Sequence, residues 1–326
     1  MSSSPVRTWA LVGGLAAAAI VLAFLLVRGE DEGGGEDRIE VVDSRRLGPR
    51  LLEYTTRTPS VSGDHGLRIL LPEDYEDSDR SYPVLYLLHP ARGDERFWTD
   101  TARADELTEG LPLIVVMPDG GPVGFYSDWR SAGSGSPPQW EAYHVEELIP
   151  WVDSEFRTVD SAAGRTIAGA SMGGLGALMY TARHPDLFSA TASFSAPAEV
   201  RPESMSELLA LASRGPELGS RIWGPPETEL VNWVRHDPVG LAKEFEGVEV
   251  ILHVGNGRPA SYRGPLRDPV ETLLRGMNVR LHRRLSELGI EHVWAPDVGA
   301  HNLTQMRKGL ARSLPVLLEA VGEEEQ

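Results

Sequence analysis

The chain has 326 residues, enough for one large α/β domain with an N-terminal attachment. Its 48 acidic against 31 basic residues leave a formal charge of -17, which argues against nucleic acid, whose phosphates require clustered Lys and Arg. No cysteine occurs, which excludes disulfides, thiol nucleophiles, thiolate metal sites and a lipoprotein signal.

Trp9 to Val27 is an uncharged run between Arg7 and Arg28, long enough to cross the roughly 30 Å hydrocarbon layer as a helix. Ala16 to Ala19 lie inside this run, not at a cleavage position, so residues 1–28 predict a retained transmembrane signal-anchor in preference to a cleaved signal peptide. The body is then expected outside the cytoplasm, membrane-attached, or secreted if the segment is cut. Residues 29–38 form an acidic, Gly-rich linker, 39–322 the folded domain and 323–326 an acidic tail.

Within the body, short apolar runs alternate with amphipathic stretches. Leu67 to Leu71, Val84 to Leu88, Leu113 to Met117, Arg165 to Ala168, Ala190 to Phe194, Val248 to Val254 and His292 to Ala295 predict strands, several of them buried and parallel. Trp140 to Phe156, Leu175 to Arg183, Val270 to Leu288 and Leu303 to Val321 show helical spacing. The alternation implies a doubly wound sheet, with Ala196 to Gly224, Pro225-Pro226 and Gly255 to Gly264 as excursions at its carboxyl edge, where ligands bind.

Gly169-Ala170-Ser171-Met172-Gly173 joins a strand to a helix as a G-x-S-x-G elbow. Such a turn exposes the serine hydroxyl, and the Met172 N–H, at a helix N-terminus, is placed to meet an oxyanion. Serine needs a histidine to take its proton and a carboxylate to orient that histidine. His253 and His292 fall inside predicted strands and read as satisfied core residues; His184 sits at a helix end and His282 on a helix among arginines. His301, after the last strand and before the final helix, holds the position expected of the base in the order serine, acid, histidine. For the acid, Asp268, Glu271 and Asp297 compete. Asp268-Pro269-Val270-Glu271 equally describes a capped helix start, and Asp297 lies so close to His301 that a turn-shaping role fits it better.

The stretches LYLLHPARGDERFW from Leu85, VMPDGGPVGFYSDW to Trp129, GASMGG, HPDLFSA to Ala190, IWGP to Pro225, HDP to Pro238, VGNGRP to Pro259, ETLLRGMN from Glu271 and GAHN to Asn302 resemble the antigen 85 mycolyltransferases and the wider esterase family around them. The resemblance covers nearly the whole body. It implies an α/β-hydrolase fold, a mostly parallel central sheet flanked by helices, with a Ser171, Glu271, His301 triad and an acyl-enzyme on Ser171. It places a second oxyanion donor at Ala91 and substrate contacts at His89, Arg92, Trp129 and Leu303. His89 stands where those enzymes have aspartate and Leu303 where they have tryptophan; their two cysteines after FYSDW are missing, replaced by Ser131 to Pro138. The chemistry is therefore expected to carry over without trehalose or mycolate specificity: a carboxylic-ester donor with water, an alcohol or a sugar as acceptor. No cofactor is expected, because Gly255-Asn256-Gly257 lacks a dinucleotide fingerprint, and no metal, because no H-E-x-x-H spacing occurs. The alternative reading is a surface protein that keeps the fold for adhesion or binding without turnover.

Overall fold

The computed structural model describes residues 39–215, 217–259 and 266–322. The predicted span Trp9 to Val27, the linker and the acidic tail lie outside them; among the described residues no helix is long and apolar enough to cross a membrane. Nine strands form one sheet: β1 (Glu40–Arg46), β2 (Leu51–Arg57), β3 (His65–Leu70), β4 (Val84–Leu88), β5 (Ile114–Pro118), β6 (Arg165–Ala170), β7 (Ala190–Phe194), β8 (Glu249–Val254) and β9 (Val293–Pro296). Their order is β1-β2-β3-β5-β4-β6-β7-β8-β9. The first four in that order pair antiparallel, and every pairing from β5 onward is parallel.

The parallel strands are covered on both faces, which is why they read as continuous apolar runs. Val84, Tyr86 and Leu88 of β4 enter one core layer while Leu85 and Leu87 enter the other, as the two-residue period of a strand requires. β1 has no such signature: all seven of its residues are exposed. It and β2 are held by ladder hydrogen bonds and lack an apolar run, so periodicity does not single them out.

The helices are α1 (Ala104–Leu107), α2 (Ile149–Glu155), α3 (Met172–Arg183), α4 (Pro202–Leu211), α5 (Glu217–Trp223), α6 (Pro226–Val234), α7 (Pro269–Leu288) and α8 (Leu303–Glu319). The helix predicted over Trp140 to Phe156 is partly π-helical, Ala142–Leu148, before it becomes α2. The predicted excursion from Ala196 to Gly224 carries α4 and α5. In the sheet β4 lies between β5 and β6, so the order of strands reverses there. A crevice at the carboxyl ends of the strands opens at such a reversal. The loop after β4 and the turn after β6 both end in it.

Candidate active site

Ser171 follows β6 and immediately precedes α3, with φ 54 and ψ -117, a conformation that L-residues rarely adopt. Its backbone is clamped in place: the Ser171 N–H donates to the Phe194 carbonyl at 2.8 Å, and its carbonyl accepts from Leu175 at 3.1 Å. The flanking glycines are sterically required. A Cβ on Gly169 would overlap the Gly173 backbone, and one on Gly173 would overlap the Leu88 carbonyl. The G-x-S-x-G pattern thus records how closely β6, α3 and β4 pack. Arg92, Phe125, Tyr126, Ser195 and Ser213 also have positive φ, and Arg103 alone of the non-glycine residues in this class stands apart from the site and its supporting loops. Strain of this kind gathers where surrounding packing holds a working geometry.

His301 Nε2 lies 2.9 Å from Ser171 Oγ, and His301 Nδ1 lies 2.9 Å from Glu271 Oε2. Glu271 is fully buried. Its other oxygen accepts hydrogen bonds from Ser195 Oγ at 2.6 Å and from the Gly255 N–H, so the carboxylate is satisfied on every side in a low-dielectric setting. Gly255 has no room for a side chain, since a Cβ there would stand 2.6 Å from Glu271 Oε1.

Asp268 holds the same constellation from outside. Its Oδ1 caps α7, accepting from Val270 N–H at 2.9 Å and Glu271 N–H at 3.2 Å. Its Oδ2 accepts from the His301 backbone N–H at 2.8 Å. The three competing carboxylates are thereby separated by position: Glu271 meets the imidazole, Asp268 meets the backbone of the same histidine, and Asp297 pairs with Lys308 and Arg312 and accepts from Val298 N–H.

Four of the other histidines after Ser171 are engaged elsewhere. His184 bonds Glu141 at 2.8 Å, His236 bonds the Asn232 carbonyl at 2.7 Å, and His282 and His292 bond each other at 2.7 Å. His253, expected to be a satisfied core residue, is buried with neither ring nitrogen hydrogen-bonded among the described residues. Burial lowers its pKa to about 4.

Ser171 and His301 open into a cavity of about 500 Å³. Ala91, Arg92, Met172 and Leu303, four of the residues singled out from the sequence, line it together with a wall that the sequence does not announce: Val123, Phe125, Pro197, Leu208, Leu209 and Met306. Two predicted contacts lie elsewhere. His89 is 1% exposed beneath the loop: its Nε2 accepts from the Gly120 N–H at 2.8 Å and its Nδ1 faces the Pro90 carbonyl at 2.9 Å. Both ring nitrogens therefore serve the scaffold. Trp129 is also buried, donating its indole N–H to the Gly124 carbonyl at 2.9 Å, with the Arg221 guanidinium over its ring. His89 thus supplies an acceptor to the backbone of the adjoining loop. Ser195 was not anticipated, and its place just past the carboxyl end of β7 is the signal that points to it. Among the described residues no group of three or more His, Cys, Asp or Glu is placed to hold a metal ion.

A family described as "Putative esterase" matches residues 58–316. The chain belongs to this family. Within it, the esterase Rv1288 of Mycobacterium tuberculosis (strain H37Rv) is 34% identical over 278 residues, covering 84% of this chain but 59% of that protein. The diacylglycerol acyltransferase/mycolyltransferase Ag85B of Mycobacterium leprae is 29% identical over 243 residues, covering 70% of this chain and 71% of its own. The solved structure of FphF, a fluorophosphonate-binding serine hydrolase of Staphylococcus aureus, superposes with a TM-score of 0.67 at 18% identity, covering 83% of this chain and 99% of that one. The fold is that of the α/β-hydrolases, as expected, and the family resemblance to the antigen 85 proteins holds over most of the domain.

Proposed function

We propose that this protein is an extracytoplasmic serine esterase or acyltransferase that works through an acyl-enzyme on Ser171. One observation carries the reading: a hydrogen-bonded chain from Ser171 Oγ through His301 to the buried Glu271, both links 2.9 Å, opening on a largely apolar cavity. Glu271 accepts a hydrogen bond from the Nδ1–H, which leaves the Nε2 lone pair directed at the serine hydroxyl. As Oγ attacks the ester carbonyl carbon, His301 takes the hydroxyl proton and the carbonyl oxygen becomes an oxyanion. The N–H groups of Met172 and Ala91 are the donors for it. Met172 sits in the first turn of α3, where backbone N–H groups have no partner within the helix. His301 then protonates the departing alcohol oxygen as the C–O bond breaks, leaving the acyl group on Ser171. Water or an acceptor alcohol repeats the steps in reverse, with His301 again as base.

Esterase and acyltransferase differ in which nucleophile occupies the cavity mouth. The apolar wall of Leu208, Leu209 and Val123 suits the acyl chain and disfavours bulk water, which supports transfer as well as hydrolysis. The uncharged run from Trp9 to Val27 supports attachment of the domain to the outer side of a membrane.

Fluorophosphonate labelling and turnover of 4-nitrophenyl esters of graded chain length test the proposal together. Labelling and hydrolysis that vanish in Ser171→Ala are expected. Persistent hydrolysis in that variant defeats the mechanism, and a wild type that neither labels nor turns over would leave a binding or adhesion role. Partition of one acyl donor between water and added glycerol or sugar then separates hydrolase from transferase.

A further inference from the structure

The chain carries a net charge of -17, yet among the described residues no Asp or Glu lines the cavity that holds Ser171 and His301. Among the described residues its permanently charged lining groups are two arginines, Arg92 and Arg214. They come from two separate segments of the chain. Arg92 belongs to the loop after β4, and its Nη2 reaches the Ala212 carbonyl at 3.5 Å, just before Arg214 in the segment that follows α4. Neither forms an ion pair among the described residues, whereas Arg96, Arg103, Arg280 and Arg307 each hold a carboxylate.

Both arginines stand on defined backbone. Arg92 has φ 67, and its N–H donates to the Pro122 carbonyl at 2.9 Å. At the end of α4, Ser213 takes φ 55 and its N–H donates to the Ala210 carbonyl at 3.0 Å, while the Arg214 N–H donates to the Leu209 carbonyl at 2.7 Å. That is a Schellman ending with serine where glycine is usual, and it sets Arg214 at the cavity lip.

Resting on the esterase reading, we propose that the substrate is an amphiphilic ester bearing its own anionic group, phosphate or carboxylate, which Arg92 and Arg214 hold while the apolar chain lies against Leu208, Leu209 and Val123. Guanidinium is always charged and its planar fork matches both anions in a bidentate manner. A cavity mouth whose permanently charged lining, among the described residues, is positive also repels cations and concentrates anions locally in a protein so acidic.

Comparing 1-decanoylglycerol 3-phosphate with 1-decanoylglycerol, both monomeric, tests this in the full chain. The expected kcat/KM ratio favours the phosphate by about tenfold or more at low salt, as a charge-assisted contact at an exposed lip warrants, and shrinks as salt is raised. Arg92→Gln and Arg214→Gln each lower the ratio several-fold, and the Arg→Lys variants restore part of it, which loss of packing alone would not allow. Binding of the corresponding ether analogues to the Ser171→Ala protein gives the same comparison without turnover. A ratio near one in wild type, or one that neither Gln variant moves, overturns the proposal. So does an arginine effect seen only on phosphatidylglycerol vesicles and not on monomers, because the anion would then belong to a lipid surface. Ser171-dependent hydrolysis of the neutral ester keeps the esterase reading intact even if the anion preference fails.

Discussion

Two histidine–carboxylate pairs in this molecule look alike at close range and differ in what lies beyond them. His301 Nδ1 stands 2.9 Å from Glu271, and His65 Nδ1 stands 3.1 Å from Asp119. The opposite nitrogen of His65 faces the Val61 carbonyl at 3.2 Å, an atom that can only accept. Both of its nitrogens therefore serve best as donors: burial opposes the charge, but the hydrogen bond and charge of Asp119 and the carbonyls of Val61 and Ser62 hold the pKa above its ordinary value. In return Asp119, which burial alone would raise, is held well below the usual carboxylate range by its bond from His65. The opposite nitrogen of His301 faces a hydroxyl, which can give up a proton, at the edge of a cavity. An imidazole beside a carboxylate becomes a base only where its second nitrogen meets a group that can lose a proton.

The same substitution in the two pairs separates these roles. Ser171→Ala and His301→Ala are each expected to lower ester kcat by about 10⁴ to 10⁶, with little change in urea midpoint. Equal losses in the single and double variants would show that the two groups act as one unit. Glu271→Gln should cost about 10³ to 10⁴ in kcat by disturbing the imidazole tautomer, measured with the same esters. A residual rate within tenfold of wild type would move the orienting role to Asp268. Ser195→Ala removes one donor to the buried carboxylate and should cost about tenfold in kcat. His65→Ala reverses the pattern: urea unfolding should show a loss of about 2 kcal/mol while kcat stays within about threefold of wild type.

The smallest effect concerns pH. Burial lowers the pKa values of His144, His236 and His253 to about 4 in the folded state, below the ordinary histidine value of about 6.5. Between those values the unfolded chain binds more protons than the folded one, so stability is fully present above about pH 6.5 and is lost as pH falls toward 4. His65, with its raised pKa, works in the opposite sense: its contribution is present at low pH and fades as pH rises through its folded value. Urea midpoints from pH 7 down to 4 should fall, since four histidines with lowered values, His282 among them, oppose one. A midpoint that rises over that range would mean that these imidazoles are solvated.

Much of the candidate site was legible along the chain. The G-x-S-x-G pentapeptide is local because a strand-to-helix turn is local, and His301 was found by its place between the last strand and the last helix. The parallel strands were legible because burial on both faces leaves an apolar run. β1 and α4 were not, for they are an exposed ladder edge and a short helix that completes the cavity wall.

Which carboxylate meets the imidazole could be settled only in three dimensions. Asp268 and Glu271 sit within one turn of the same helix start, and composition is indifferent between them. Folding divides them because the side chain of an N-cap turns back onto the first N–H groups, whereas the residue three further on enters the interior beside Ser195 and Gly255. The placement of His89 and Trp129 under the loop, and of Arg92 and Arg214 on the cavity lining, was decided in the same way. The order of residues determined the serine, its histidine and the sheet that carries them, since those rest on short-range pattern. Contacts between segments far apart in sequence determined the acid's partners and the cavity's charge, because neither exists until the chain has closed around them.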